Sequence, residues 1–149
     1  MSQQDFFVSL SERRLTQSVE DIKGANTRAM TLLSLLSILM SGVWALSLKA
    51  APHSRAPILI GFGLLTLAMV LCGGSLLLPA QYDSPKLEHF YEQYFGEAGN
   101  VVYSVYFTAV IGAIAHNHRV FRLKSGLTAT AIMALLSTLV IMALMPIKI

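Results

Sequence analysis

The chain has 149 residues, of which 54% are hydrophobic and 13% charged, and its net charge is +3. Soluble domains carry about 25% charged residues, so the composition excludes an ordinary soluble enzyme and leaves room for one domain with a handful of membrane spans. The single cysteine, Cys72, lies inside an apolar run, which excludes an intrachain disulfide. The Lys and Arg residues lie outside the apolar runs, where anionic headgroups account for them without a nucleic-acid duplex.

Residues 1–28 are polar and mixed in charge, with Asp5, Glu12, Glu20 and Asp21 among Arg13, Arg14, Lys23 and Arg28. A cleavable signal peptide needs an apolar stretch close behind a basic start, and none is expected here. Ser9 with Glu12 resembles a capping box. Leu15, Val19 and Ile22 then recur at helical spacing, so residues 9–26 read as a helix that can run on into the first span. That span, 29–48, holds twenty residues without a charge. At 1.5 Å per residue it covers about 30 Å, the thickness of the hydrocarbon core.

A short turn containing Pro52 leads into a second uncharged span, 57–79. In the connection that follows, Ser84-Pro85 reads as an N-cap with proline at the first helical position. Leu87, Phe90, Tyr91 and Tyr94 oppose Lys86, Glu88, Glu92 and Gln93 there. This predicts a short amphipathic helix over 85–95, lying at the membrane surface. Tyr82, Tyr91, Tyr94, Tyr103 and Tyr106 read as an aromatic belt at one interface, with Trp44 at the other.

The next apolar run, Val101–Ala115, is short for a span. Extension through Gly99 and Asn100, and snorkelling of Arg119 and Arg122, make it a third span over 100–117. A re-entrant or interfacial helix is the alternative. The last span is 127–147. The expected fold is therefore all-α: a single membrane domain of four transmembrane helices, an N-terminal helix and an interfacial helix.

Four spans place both termini on one side, taken as cytoplasmic because the first segment is long, polar and without a signal. The basic residues then divide six against five, hardly a bias under the positive-inside rule. If the third run does not cross, Arg119, Arg122 and Lys124 join the inner side and the bias becomes clear.

None of the four runs contains Asp, Glu, Lys, Arg or His. Coupled transport and intramembrane hydrolysis use ionisable groups near the midplane, so neither is expected. Thr27, Thr31, Ser34, Ile38, Ser41 and Ala45 follow spacings of 4, 3, 4, 3 and 4, the seam of a left-handed helix pair. One reading is close packing with each hydroxyl bonded to its own backbone. The other is the lining of a wet path in an oligomer, through Thr27, Thr31, Ser34 and Ser41 with Ile38 as a hydrophobic constriction. The basic residues Arg13, Arg14, Lys23 and Arg28, and the cluster His116, His118, Arg119, Arg122 and Lys124, read either as interface anchors or as a site for an anionic headgroup or a nucleotide signal. His116 and His118 point about 200° apart on a helix, so no metal site is expected, and no cofactor.

The order of these features resembles a known kind of protein. A polar helix, Glu12-Arg13-Arg14-Leu15 through Glu20-Asp21-Ile22-Lys23, precedes the Leu/Ser-rich span Thr31-Leu32-Leu33-Ser34-Leu35-Leu36-Ser37. A hairpin and an amphipathic linker follow, then the basic run His116-Asn117-His118-Arg119-Val120-Phe121-Arg122-Leu123-Lys124 before a last span. The layout resembles the small multi-pass membrane effectors of bacterial nucleotide-signalling antiphage systems of the Pycsar, CBASS and Hailong types. The resemblance implies a homo-oligomer in the bacterial inner membrane that disrupts it when a nucleotide signal changes. A membrane-anchor subunit of a larger complex, holding haem through His116 or His118, and a holin-like lysis protein are the alternatives.

Overall fold

The computed structural model describes residues 3–49, 55–80, 87–93 and 99–144, and their regular structure is helical throughout. The helices are α1 (Gln3–Lys49), α2 (Arg55–Leu77), α3 (Leu87–Gln93) and α4 (Gly99–Leu144). Three of them, α1, α2 and α4, are long and apolar enough to cross a membrane. The turn at Pro52, the Ser84-Pro85 cap and residues Tyr82, Lys86 and Tyr94 lie outside the described residues.

The largest difference from the sequence expectation is in α4. The segments expected as separate spans, 100–117 and 127–147, belong, the latter as far as Leu144, to one unbroken helix of 46 residues. Nothing in the sequence stops it: between Ala115 and Leu127 there is no proline, and Gly126 is the only glycine. At 1.5 Å per residue it is about 70 Å long, more than twice a hydrocarbon core. α1 is likewise one helix of 47 residues, joining the expected N-terminal helix to the first span. Because α1 already begins at Gln3, Ser9 is no N-cap; its hydroxyl donates to the Phe6 carbonyl at 2.9 Å.

The chain forms two compact units. The first draws on α1 up to Gly24, on α3, and on α4 up to Arg122. Leu15, Tyr106, Val110 and Ala113 are its buried core, with Val8, Leu87, Phe90, Phe107 and Ile114 packed against them. One face of the short apolar run 101–115 is thus packed on protein, while Val101 and Ile111 on it are exposed. The apolar face of α3 is taken up in the same way: Phe90 meets Tyr106 edge-on at 5.9 Å, and Tyr91 meets Tyr103 at 6.1 Å. Tyr106, expected in an interfacial belt, is fully buried. Leu87 and Phe90, expected to face lipid headgroups, face this core instead.

The second unit draws on α1 from Ala25, on α2, and on α4 from Leu123. Its core is Leu32, Leu36, Val43, Ile58, Leu65, Ala68, Cys72 and Ala131. On α2 the buried positions Ile58, Gly61, Leu65, Ala68, Cys72 and Ser75 recur at alternating steps of three and four, a heptad seam. Small residues on it admit the neighbouring helix closely. A Cβ on Gly61 would lie 3.3 Å from Thr138 Cγ2 and 3.9 Å from Met142 Cγ. Gly61→Leu is therefore expected to overpack the α2–α4 contact and cost roughly 1–3 kcal/mol, while Gly61→Ala costs little. Thermal unfolding of the two variants in detergent checks this ranking.

The outside of the second unit is apolar. Met30, Leu35, Trp44, Leu59, Val70, Met133, Val140 and Leu144 are all exposed, in a band that a soluble protein would not leave uncovered. Trp44 carries its ring 5.9 Å from Phe62.

Candidate functional site

Polar side chains join α1 to α4 at three levels, with nearly constant register. In the first unit Tyr106 Oη donates to Glu12 Oε1 at 3.3 Å, across 94 positions of sequence. Asn117 Nδ2 donates to Ser18 Oγ at 3.2 Å, across 99. In the second unit Lys124 Nζ donates to Asn26 Oδ1 at 3.0 Å, across 98. In the first unit the two similar offsets mean that α1 and α4 run parallel, and in the second α2 runs antiparallel to α4, with Gly61 against Thr138 and Ser75 against Lys124.

The Lys124 level is the most constrained. Its side chain has no solvent exposure, and a buried ammonium is costly unless its donors are met. They are met by Asn26 from α1 and by the Ser75 carbonyl of α2 at 2.6 Å. That carbonyl needs an outside donor. It belongs to the last turn of α2, where intrahelical partners run out, and the residue four positions on is Pro79, which has no N–H. Lys124 supplies the missing hydrogen bond and puts positive charge at the negative end of the helix dipole. In return Ser75 Oγ lies 3.5 Å from the Lys124 carbonyl, which also accepts from Thr128 Oγ1 at 2.9 Å. Among the described residues Lys124 makes no ion pair. One residue from each of α1, α2 and α4 thus meets at a single cation, just where the charge-free stretches of the second unit begin.

This corrects one expectation: Lys124 is not an exposed member of a basic cluster but is buried in the bundle. It lies between the apolar runs 101–115 and 127–147, which hold no ionisable group. In the rest of the cluster His116, His118, Arg119 and Arg122 are exposed in the first unit, as are Arg13, Arg14 and Lys23 there, while Arg28 is exposed in the second. Asn117, between the two histidines, is fully buried. A haem-holding site would need His116 or His118 inside a bundle, and neither is there.

The hydroxyl stripe lies on the outer side of α1. The buried positions of α1 in the second unit are Ala25, Ala29, Leu32, Leu36 and Val43. Thr27, Thr31, Ser34, Ile38 and Ser41 stand two residues on from the first four of these, or before the last, about 200° around the helix, and all five are exposed. Ile38 is 69% exposed. Thr31, Ser34 and Ser41 donate to the carbonyls of Thr27, Met30 and Ser37 at 3.0–3.1 Å, the backbone-satisfied state that suits a hydroxyl in an apolar medium.

Sequence reasoning missed Asn26, Ser75, Pro79 and Asn117. A signal for them exists once 99–144 is treated as one helix. From Val102 through Tyr106, Val110, Ala113, Asn117, Val120, Lys124 and Thr128 to Ala131 its buried positions recur at steps of three or four, with Thr138 buried seven residues further on, and Lys124 falls on that line.

The molecule is an all-helical protein with three helices long and apolar enough to cross a membrane. No family model, curated protein or solved structure matches the chain.

Proposed function

We propose that this chain is a homo-oligomeric, pore-forming effector of the bacterial inner membrane acting in antiphage defence. In this reading the chain crosses the bilayer three times, by 29–48, 57–77 and 125–144, with the segments before 29 and between 77 and 125 on the cytoplasmic side. Charge supports the placement. Eight basic residues (Arg13, Arg14, Lys23, Arg28, Lys86, Arg119, Arg122, Lys124) then lie on the inner side and three (Lys49, Arg55, Lys148) on the outer, a clear positive-inside bias.

The observation that carries self-association is the pair of opposite seams on α1. One seam is consumed by the bundle. The other, small and hydroxylated, is exposed and offers a second copy the close approach that drives helix association in lipid. Subunits meeting on it place Thr27, Thr31, Ser34 and Ser41 along a shared path, with Ile38 as the apolar gate that excludes water until the helices rotate. The exposed basic side chains of the first unit receive the nucleotide signal. The antiphage role rests on the resemblance of layout.

Single-channel recording in planar bilayers, with and without cyclic nucleotides or oligonucleotides, tests the reading. Cysteine at Ser34 or Ser41, in a Cys72→Ala background, is expected to react with water-soluble thiol reagents under conducting conditions, and cysteine at the buried Leu36 is not. Equal protection at all three positions while current flows removes α1 from the pore. Ser34→Leu and Ser41→Leu put bulk on the seam and are expected to shift the oligomer toward monomer in size-exclusion chromatography.

A further inference from the structure

A cleft of about 220 Å³ lies between α1 and α4 in the second unit, lined by Ala25, Arg28, Ser125, Thr128, Ala129 and Ile132. Its two ends differ in chemistry. Arg28 is the last charged residue before the uncharged stretch 29–48 of α1, and Ser125 follows Lys124, the last charged residue before that of α4. Below them Ala129 and Ile132 present only methyl and methylene groups. The α4 wall spans two turns, about 10 Å. The buried Lys124 stands next to Ser125 and makes no ion pair among the described residues. The polar end therefore holds the exposed Arg28, with no carboxylate in the lining.

We propose that this cleft holds one anionic phospholipid, its phosphate on the Arg28 guanidinium and the upper part of an acyl chain against Ala129 and Ile132. Arginine suits a phosphate because its planar fork meets two oxygens at once. An anionic headgroup offsets a positive charge that the described residues leave uncompensated, and basic pockets between helices at the cytoplasmic boundary are where such headgroups bind. A free anion accounts for Arg28 but not for the two turns of apolar wall beneath it. A neutral lipid accounts for the wall but not for the charge. The inference rests on the bilayer placement proposed above, and not on a pore.

The test uses the full chain purified in neutral detergent. Bound lipid is counted by native mass spectrometry during titration with phosphatidylglycerol, with phosphatidylcholine of the same acyl chains, and with glycerol phosphate, which carries the headgroup anion without chains. Phosphatidylglycerol is expected to be retained in preference to phosphatidylcholine, and glycerol phosphate not at all. Arg28→Gln, at an exposed position, is expected to lower that preference about fivefold, the worth of one basic residue beside an anionic headgroup. Ala129→Trp fills the cleft and is expected to remove retention. Equal retention of both lipids, an undiminished preference in Arg28→Gln, or competition by glycerol phosphate would each overturn the proposal. So would an Ala129→Trp variant that breaks the oligomer yet keeps its lipid, since the cleft is then a contact between copies. If reporter fusions keep the expected sidedness while the lipid preference is absent, the lipid site alone fails and the placement stands.

Discussion

Reporter fusions at residues 1 and 149 are expected to read opposite sides of the membrane. The reason is the unbroken α4. Had 100–117 and 127–147 been separate spans, the chain would cross four times and return to its starting side. An unbroken helix of 46 residues offers no turn at which to re-enter the bilayer, and its buried Tyr106, Val110 and Ala113 already pack with Leu15, Leu87 and Phe90. In the placement proposed above the chain crosses three times, and an odd number separates the ends. Alkaline phosphatase, active only outside the cytoplasm, should report at residue 149, and green fluorescent protein, which fluoresces inside, at residue 1. A third fusion or epitope between α2 and α3 should report inside. The contrast is close to all-or-none, because each reporter works on one side only. Both ends on the same side would restore the four-span arrangement and would separate the two halves of α4 in the membrane-bound protein.

The sequence carries the second unit more clearly than the first, for a physical reason. A span must be apolar on every face, so 29–48, 57–79 and 127–147 stand out as uncharged runs. A helix packed between two others in a small unit is nearly as apolar, which is why 101–115 resembles a short span. Length alone hints at the difference: fifteen residues cover about 22 Å, too little for a hydrocarbon core. The hydroxyl stripe was legible as a spacing, but not its side. Two heptad lines on opposite faces of α1 are equally regular, and only the larger Leu32 and Leu36 on one of them favour that line for the core. Lys124 was hidden by company. It follows exposed Arg119 and Arg122 within one basic run, and its burial is apparent only once 99–144 is taken as one helix, on whose line of buried positions it falls.

That node makes a second expectation, which concerns removal of its partners one at a time. Asn26→Leu leaves the Lys124 ammonium buried with one fewer acceptor. Stripping a partner from a buried charge costs about 3–5 kcal/mol, so this variant is expected to lose much of its stability in detergent. Lys124→Met keeps the side chain's length and removes the charge. Its cost is the Ser75 carbonyl left without a donor, about 1–3 kcal/mol, since Pro79 cannot supply one. The double variant Asn26→Leu, Lys124→Met has no buried charge to strand, and is expected to be more stable than Asn26→Leu alone. The coupling energy should be about 1–3 kcal/mol, the range for residues in one hydrogen-bonded network. Pro79→Ala adds a sharper check. It returns an N–H four residues after Ser75, and so should recover part of what Lys124→Met loses while doing little for Asn26→Leu. Chemical unfolding in mixed micelles, followed by circular dichroism, reads the single variants and their combinations. Additive losses in the double variant, or no rescue by Pro79→Ala, would mean that Lys124 is held by packing along α4 and not by its bonds to α1 and α2.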